Sequence, residues 1–114
     1  MIIKNEISKI VSQLIFDLVS GDYEKLEYDG RIGRLSKDEV SEAISSYPGK
    51  ITMPPPKAFD DFDIYEVKNS SNEKWTLDFD LWYDNERSDL TLGATIERTE
   101  AGKLIISIDD IHVL

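Results

Sequence analysis

His112 is the only histidine in a chain that has no cysteine, and Asp110 precedes it by two residues. In an extended strand that spacing puts both side chains on one face, where a carboxylate can orient an imidazole for general acid–base chemistry. No second histidine, nucleophile motif or phosphate-binding loop accompanies the pair, so the sequence offers no complete catalytic set. Disulfides and thiolate sites are ruled out by composition, and a zinc site would have to rest almost wholly on carboxylates.

Carboxylates are the commonest candidate groups, and they fall into three sets. Asp60, Asp61 and Asp63 follow a run of prolines, Asp78 and Asp80 alternate with Trp82, and Asp84, Glu86 and Asp89 lie close together just beyond. Oxygen clusters can hold Ca²⁺, but neither the first nor the third set has the ligand order and central glycine of a calcium loop, so no metal or other cofactor is expected. Asp29-Gly30-Arg31-Ile32-Gly33-Arg34 sets two arginines beside two glycines. That pattern could cradle an anion and is equally a tight turn with solvent-facing charge; two glycines fall short of a phosphate-binding fingerprint.

The charge is unevenly placed. Of a formal net charge of −10, residues 1–57 contribute nine acids against eight bases, and residues 58–114 fourteen against five. A potential of that sign repels phosphate backbones and anionic lipid and speeds encounter with basic proteins. Nucleic acid and membrane are therefore excluded as expected partners, and a basic protein is favoured. The longest apolar stretch is broken by Lys4, Glu6, Lys9 and Asp17, which fits neither a signal peptide nor a membrane span; a cytoplasmic protein is expected.

Positioning these groups requires a fold, and the hydrophobic pattern supplies one. Ile3, Ile7, Ile10, Val11, Leu14, Ile15 and Leu18 recur at helical spacing and predict a helix over residues 4–19 that stops at Gly21. Ser36 and Glu39 form a capping box for a second helix with the apolar stripe Val40, Ala43, Ile44 and Tyr47, closed by Pro48 and Gly49. Met53-Pro54-Pro55-Pro56 then makes an extended link. Beyond it the period changes to two. Trp75, Leu77, Phe79, Leu81 and Tyr83 alternate with polar residues, as do Leu90, Leu92, Ala94 and Ile96, which predicts two antiparallel strands joined by a loop over 84–89. A third strand is expected over 103–108, and an earlier one over 62–67 that ends in the turn Asn69-Ser70-Ser71-Asn72. The fold is thus a single α+β domain over 1–114: two N-terminal helices on one face of a curved, cone-like antiparallel sheet of about four strands. Two helices cover one face only. The other face, carrying Thr76, Asp78, Asp80, Trp82, Thr91, Thr95 and Glu97, is left for solvent or a partner.

Gly21-Asp22-Tyr23-Glu24 with Leu26, Asp29-Gly30-Arg31 with Arg34-Leu35, Arg87-Ser88-Asp89-Leu90-Thr91-Leu92 and Asp110-Ile111-His112-Val113-Leu114 together resemble a small bacterial domain family of unknown function. That family's pattern has a glycine before the Arg-Ser-Asp segment, where this chain has Glu86. In type, a short, acidic, cysteine-free α+β chain also resembles the immunity proteins of contact-dependent growth inhibition systems. That likeness implies a non-enzymatic cytosolic inhibitor that binds a toxin domain, commonly a basic nuclease, through Asp78, Asp80 and Trp82 or through the acidic sets 60–63 and 84–89. The helix-then-sheet order is similar, too, to the cone-shaped rolls of the nuclear transport factor and scytalone dehydratase type. That alternative implies a small-ligand pocket, as in a dehydratase or isomerase, with Asp110 and His112 pointing inward.

Overall fold

The first helix, α1 (Ile2–Val19), forms because its apolar residues return every three or four positions: Ile7, Val11, Leu14, Ile15 and Leu18 are all buried. The computed structural model describes residues 2–68 and 71–113. Asn69 and Ser70 of the expected turn, and Leu114, lie outside the described residues. The helix ends where Gly21 takes a left-handed conformation, φ 72°. A short second helix, α2 (Tyr23–Tyr28), was not expected: it starts on Asp22, whose side chain accepts from the Lys25 amide, and it buries Leu26 alone. Six residues are too few for a helical period to register. The next helix, α3 (Lys37–Ser46), has the capping box that Ser36 and Glu39 promised, with reciprocal bonds of 3.0 and 2.9 Å.

Five strands follow among the described residues. β1 (Ile51–Thr52) is too short to show alternation in the sequence; after it the chain arches through the prolines and a 3-10 turn, Pro56–Asp60. β2 (Asp63–Glu66), β3 (Lys74–Tyr83), β4 (Glu86–Arg98) and β5 (Leu104–Val113) complete one open antiparallel sheet. β4 runs along one edge of β3; along its other edge β1 pairs with Trp82 and Tyr83, and β2 pairs with residues 75–78. The expected six-residue loop between β3 and β4 is a two-residue turn. Asp84 and Asn85 both take positive φ (52° and 65°), the type I′ geometry whose twist matches a hairpin and which Asp and Asn tolerate. Glu86 and Asp89 therefore belong to β4, not to a loop.

The alternation holds where the core needs it. Leu77, Phe79, Leu81 and Tyr83 of β3, Leu90, Leu92, Ala94 and Ile96 of β4, and Leu104, Ile106 and Ile108 of β5 are buried in one cluster with the α1 stripe. Phe59, from the arch, stacks on Phe79 at 5.3 Å. Tyr83 reaches the end of α3 and donates to the Ile44 carbonyl at 2.6 Å. This satisfies a helix-terminal carbonyl that would otherwise be buried unpaired, and burial pushes the phenol up to about 12.

An ion pair fastens the helices to the far edge of the sheet. Asp17, 3% exposed, accepts from Arg31 Nη2 at 2.7 Å and lies 3.6 Å from Lys25 Nζ, while the Arg31 carbonyl accepts from the Ile108 amide of β5 at 2.7 Å. Burial pushes the Asp17 carboxyl upward, but hydrogen bonds from Arg31 and Gln13 and the charges of Arg31 and Lys25 outweigh it and hold the group below its ordinary value of 3.8. A depressed carboxylate contributes stability that is present above its unfolded pKa and is lost as pH falls through the folded one. Asp17→Asn should thus cost about 3 kcal/mol at neutral pH, because a buried cation loses its partner. In urea unfolding, the gap to wild type should narrow below pH 3.8. Phe79→Ala should cost about 3 to 5 kcal/mol in the same assay and at every pH, because it leaves a cavity and no charge is involved.

Candidate functional site

The sheet has a second face, and among the described residues no helix covers it. Register fixes which residues share it. Asp63 of β2 stands opposite Asp78 of β3, Asp78 opposite Gly93 of β4, and Gly93 opposite Asp110 of β5. Three carboxylates and one glycine therefore form a single row across four strands. A Cβ at Gly93 would lie 2.5 Å from Asp110 Oδ1 and 3.7 Å from Asp78 Oδ1. The missing side chain is what lets the Asp110 carboxylate fold over the middle of the sheet towards Asp78. Like charges placed directly opposite each other across strands are destabilising. Among the described residues, neither Asp63 nor Asp78 has an ion-pair partner.

The adjoining row is Asp80, Thr91 and His112. Here the carboxylate is occupied. Arg87 donates to Asp80 Oδ2 through Nε at 2.8 Å and approaches it through Nη2 at 2.7 Å, and the buried Thr91 hydroxyl donates to Oδ1 at 2.8 Å. Asp80 thus organises its own neighbours. Trp82, half-buried, stands opposite Arg87. At the β3 edge, between the stretches paired with β1 and β2, the arch and the sheet enclose a cleft of about 350 Å³ lined by Lys57, Asp61, Asp63, Asp78, Trp82 and Arg87 among others. Two of the three acidic sets thus meet at one place, Asp61 and Asp63 from the arch side and Asp78 and Asp80 from the sheet. Asp60 is exposed at the end of the 3-10 turn and does not line the cleft.

The third set does not join them. Asp84 accepts from the Lys50 amide at 3.1 Å, and Asp89 accepts from the Tyr47 hydroxyl on the helix side. This bond, with partial burial second, raises the Tyr47 phenol above its usual range. Glu86 stands opposite Tyr83 at the start of β4. The Asp29–Arg34 turn lies apart from this face: Arg31 turns inward and gives Nη2 to both Asp17 and Asp29.

Asp110 and His112 do share a face, with His112 Nδ1 3.3 Å from Asp110 Oδ2, but the face is the bare one, and both are exposed. Simple alternation from Leu104, Ile106 and Ile108 would have pointed them into the core. A bulge intervenes: Ala94 pairs with Ile108, yet Gly93 pairs with Asp110, so Asp109 is an extra residue and the strand turns over beyond it. Asp109 itself accepts from Thr95 Oγ1 at 2.6 Å. The sequence signal was two successive polar residues, Asp109-Asp110, inside an otherwise alternating strand. That signal also hid Asp110 as a member of the acidic row.

The family described as a domain of unknown function, DUF7668, matches residues 15–114. The chain belongs to that family. The DUF7668 match takes in every strand and every carboxylate of the bare face. No curated protein and no solved structure matches the chain. Among the described residues no three His, Asp or Glu side chains converge to hold a metal ion, and no helix is long and apolar enough to cross a membrane.

If the acidic row is held together against its own repulsion, Asp78→Asn should raise stability by about 0.5 kcal/mol through relief of the Asp63–Asp78 opposition. A higher urea midpoint with an unchanged slope is the expected result, and the gain should shrink as salt is added.

Proposed function

We propose that the chain is an immunity-type inhibitor whose bare sheet face binds a cationic surface of a toxin domain in the cytosol. The observation that supports this reading is the cross-strand row Asp63, Asp78, Asp110, in which like charges lie side by side around a glycine notch. Such a row costs folding stability in the free chain, and arginines or lysines from a partner would neutralise it. Trp82, in the adjoining cleft, is the residue type that most often anchors an interface, and the surrounding carboxylates would steer a basic partner to it. On this reading the chain does no chemistry of its own. His112 serves at most as a hydrogen-bonding group on the rim.

The test is capture and rescue. Immobilised chain is incubated with lysate of the source organism and compared with the Asp63→Lys, Asp78→Lys double variant, and each retained protein is then expressed alone and together with the chain. The wild type should retain a basic protein that arrests growth alone but not alongside the chain, and the double variant should lose capture and protection together. Association should slow as salt rises to physiological strength, where exposed charges are screened beyond about 8 Å. Undiminished protection by the folded double variant would reject the acidic row as the interface.

A further inference from the structure

The opposite edge of the sheet carries a second, differently charged feature. In β5, Ile108 points its amide outward to Arg31, while Lys103 gives its carbonyl inward to Thr99. Alternation along the strand therefore directs the backbone N–H and C=O groups of Leu104 and Ile106 outward. None of the turn, loop or inter-element backbone hydrogen bonds among the described residues engages them. Proteins commonly cover or blunt such an edge; here the 29–34 loop covers it at Ile108 and stops there.

Beside the free stretch lies a cleft of about 400 Å³ between α1 and the edge, with Ile10 and the exposed Ile105 in its walls. Its charged groups differ from those of the rest of the surface. Lys25, Arg31 and Lys103 line it against one carboxylate, Asp29. Lys103 has no ion-pair partner among the described residues, and Lys25 is held only loosely, 3.6 Å from Asp17. Arg31 is incompletely satisfied: its Nη2 serves both aspartates, while Nε is buried with no hydrogen-bond partner.

We propose that this cleft binds an extended acidic segment of a partner protein, which adds a short strand to the β5 edge at Leu104 and Ile106 and sets a carboxylate against Lys25, Arg31 and Lys103. Main-chain bonds to the two free residues supply a ladder, and the cations select the charge. The segment need be only about four residues long, since a strand rises about 3.3 Å per residue. This surface is separate from the acidic face and of opposite sign, so it stands or falls independently of the inhibitor reading.

The experiment is a titration of the ¹⁵N-labelled chain with the blocked peptide acetyl-Glu-Val-Glu-Val-amide, and in parallel with its lysine counterpart, acetyl-Lys-Val-Lys-Val-amide. The overall charge of −10 opposes the acidic peptide, so binding requires a local site. The acidic peptide should shift the Leu104 and Ile106 amides saturably, with half-saturation at or below about 1 mM. The exposed Lys103→Glu should weaken this by about tenfold or more, and Asp63→Lys, on the acidic face, should not weaken it. The proposal is overturned by any of three results: no saturable shift at those two amides, an equal response to the lysine peptide, or unchanged binding in Lys103→Glu. Displacement of the same amides by raising protein concentration alone would show that the edge pairs with a second copy, and would overturn it too.

Discussion

A sheet with helices on one side only must sort its residues by face, and that sorting governs the rest of this molecule. Every second residue from Leu77 to Tyr83 of β3 and from Leu90 to Ile96 of β4 is committed to the core shared with α1, so the intervening residues between Leu77 and Leu81 and between Leu90 and Ile96 share the opposite surface whatever their charge. The covered side contributes the stability. The bare side is free to carry groups that disfavour folding, and it carries aspartates in register. A domain can tolerate that opposition because exposed charges are screened and each pair costs a fraction of a kcal/mol, against several for one lost core aromatic.

The helical layer is not held by apolar contact alone. Asp17 and Arg31 meet almost out of water, and the same arginine holds the outer strand through its backbone carbonyl. A pair placed this way gives less net stability than its Coulomb energy suggests, because both ions are desolvated. Its geometric effect is clearer: it fixes where the chain between α2 and α3 lies, and hence how far along β5 the edge is covered. The Tyr83–Ile44 bond does the corresponding work at the other end, tying α3 to the strand that carries Trp82.

Much of this was legible in the sequence, for reasons that differ by element. The α1 stripe, the Ser36–Glu39 capping box and the alternation of β3 and β4 are local patterns with a physical period, and each stands where the pattern put it. α2, β1 and the 3-10 turn have no period long enough to read and are set by tertiary contact. The Asp84-Asn85 turn was obscured because neither residue is glycine, although both tolerate positive φ. Of the candidate site, Asp78, Asp80 and Trp82 were legible as one face. That Asp63 and Asp110 complete a row was not, because strand pairing and bulges depend on the partner strand. Nor does sequence reveal that Asp80 is already bound to Arg87 and Thr91.

The extra residue at Asp109 also bears on how such a surface could change over generations. Deleting that residue would leave Ile108 opposite Ala94 and Asp110 opposite Gly93, so both faces would stay as they are; losing the bulge while keeping the residue would instead send Asp110 and His112 inward and Ile111 and Val113 out. A single-codon deletion there would thus remove the kink and spare the acidic corner. Lineages that lack this residue would be expected to keep the same acidic row on a straighter strand, with Thr95 deprived of its Asp109 acceptor.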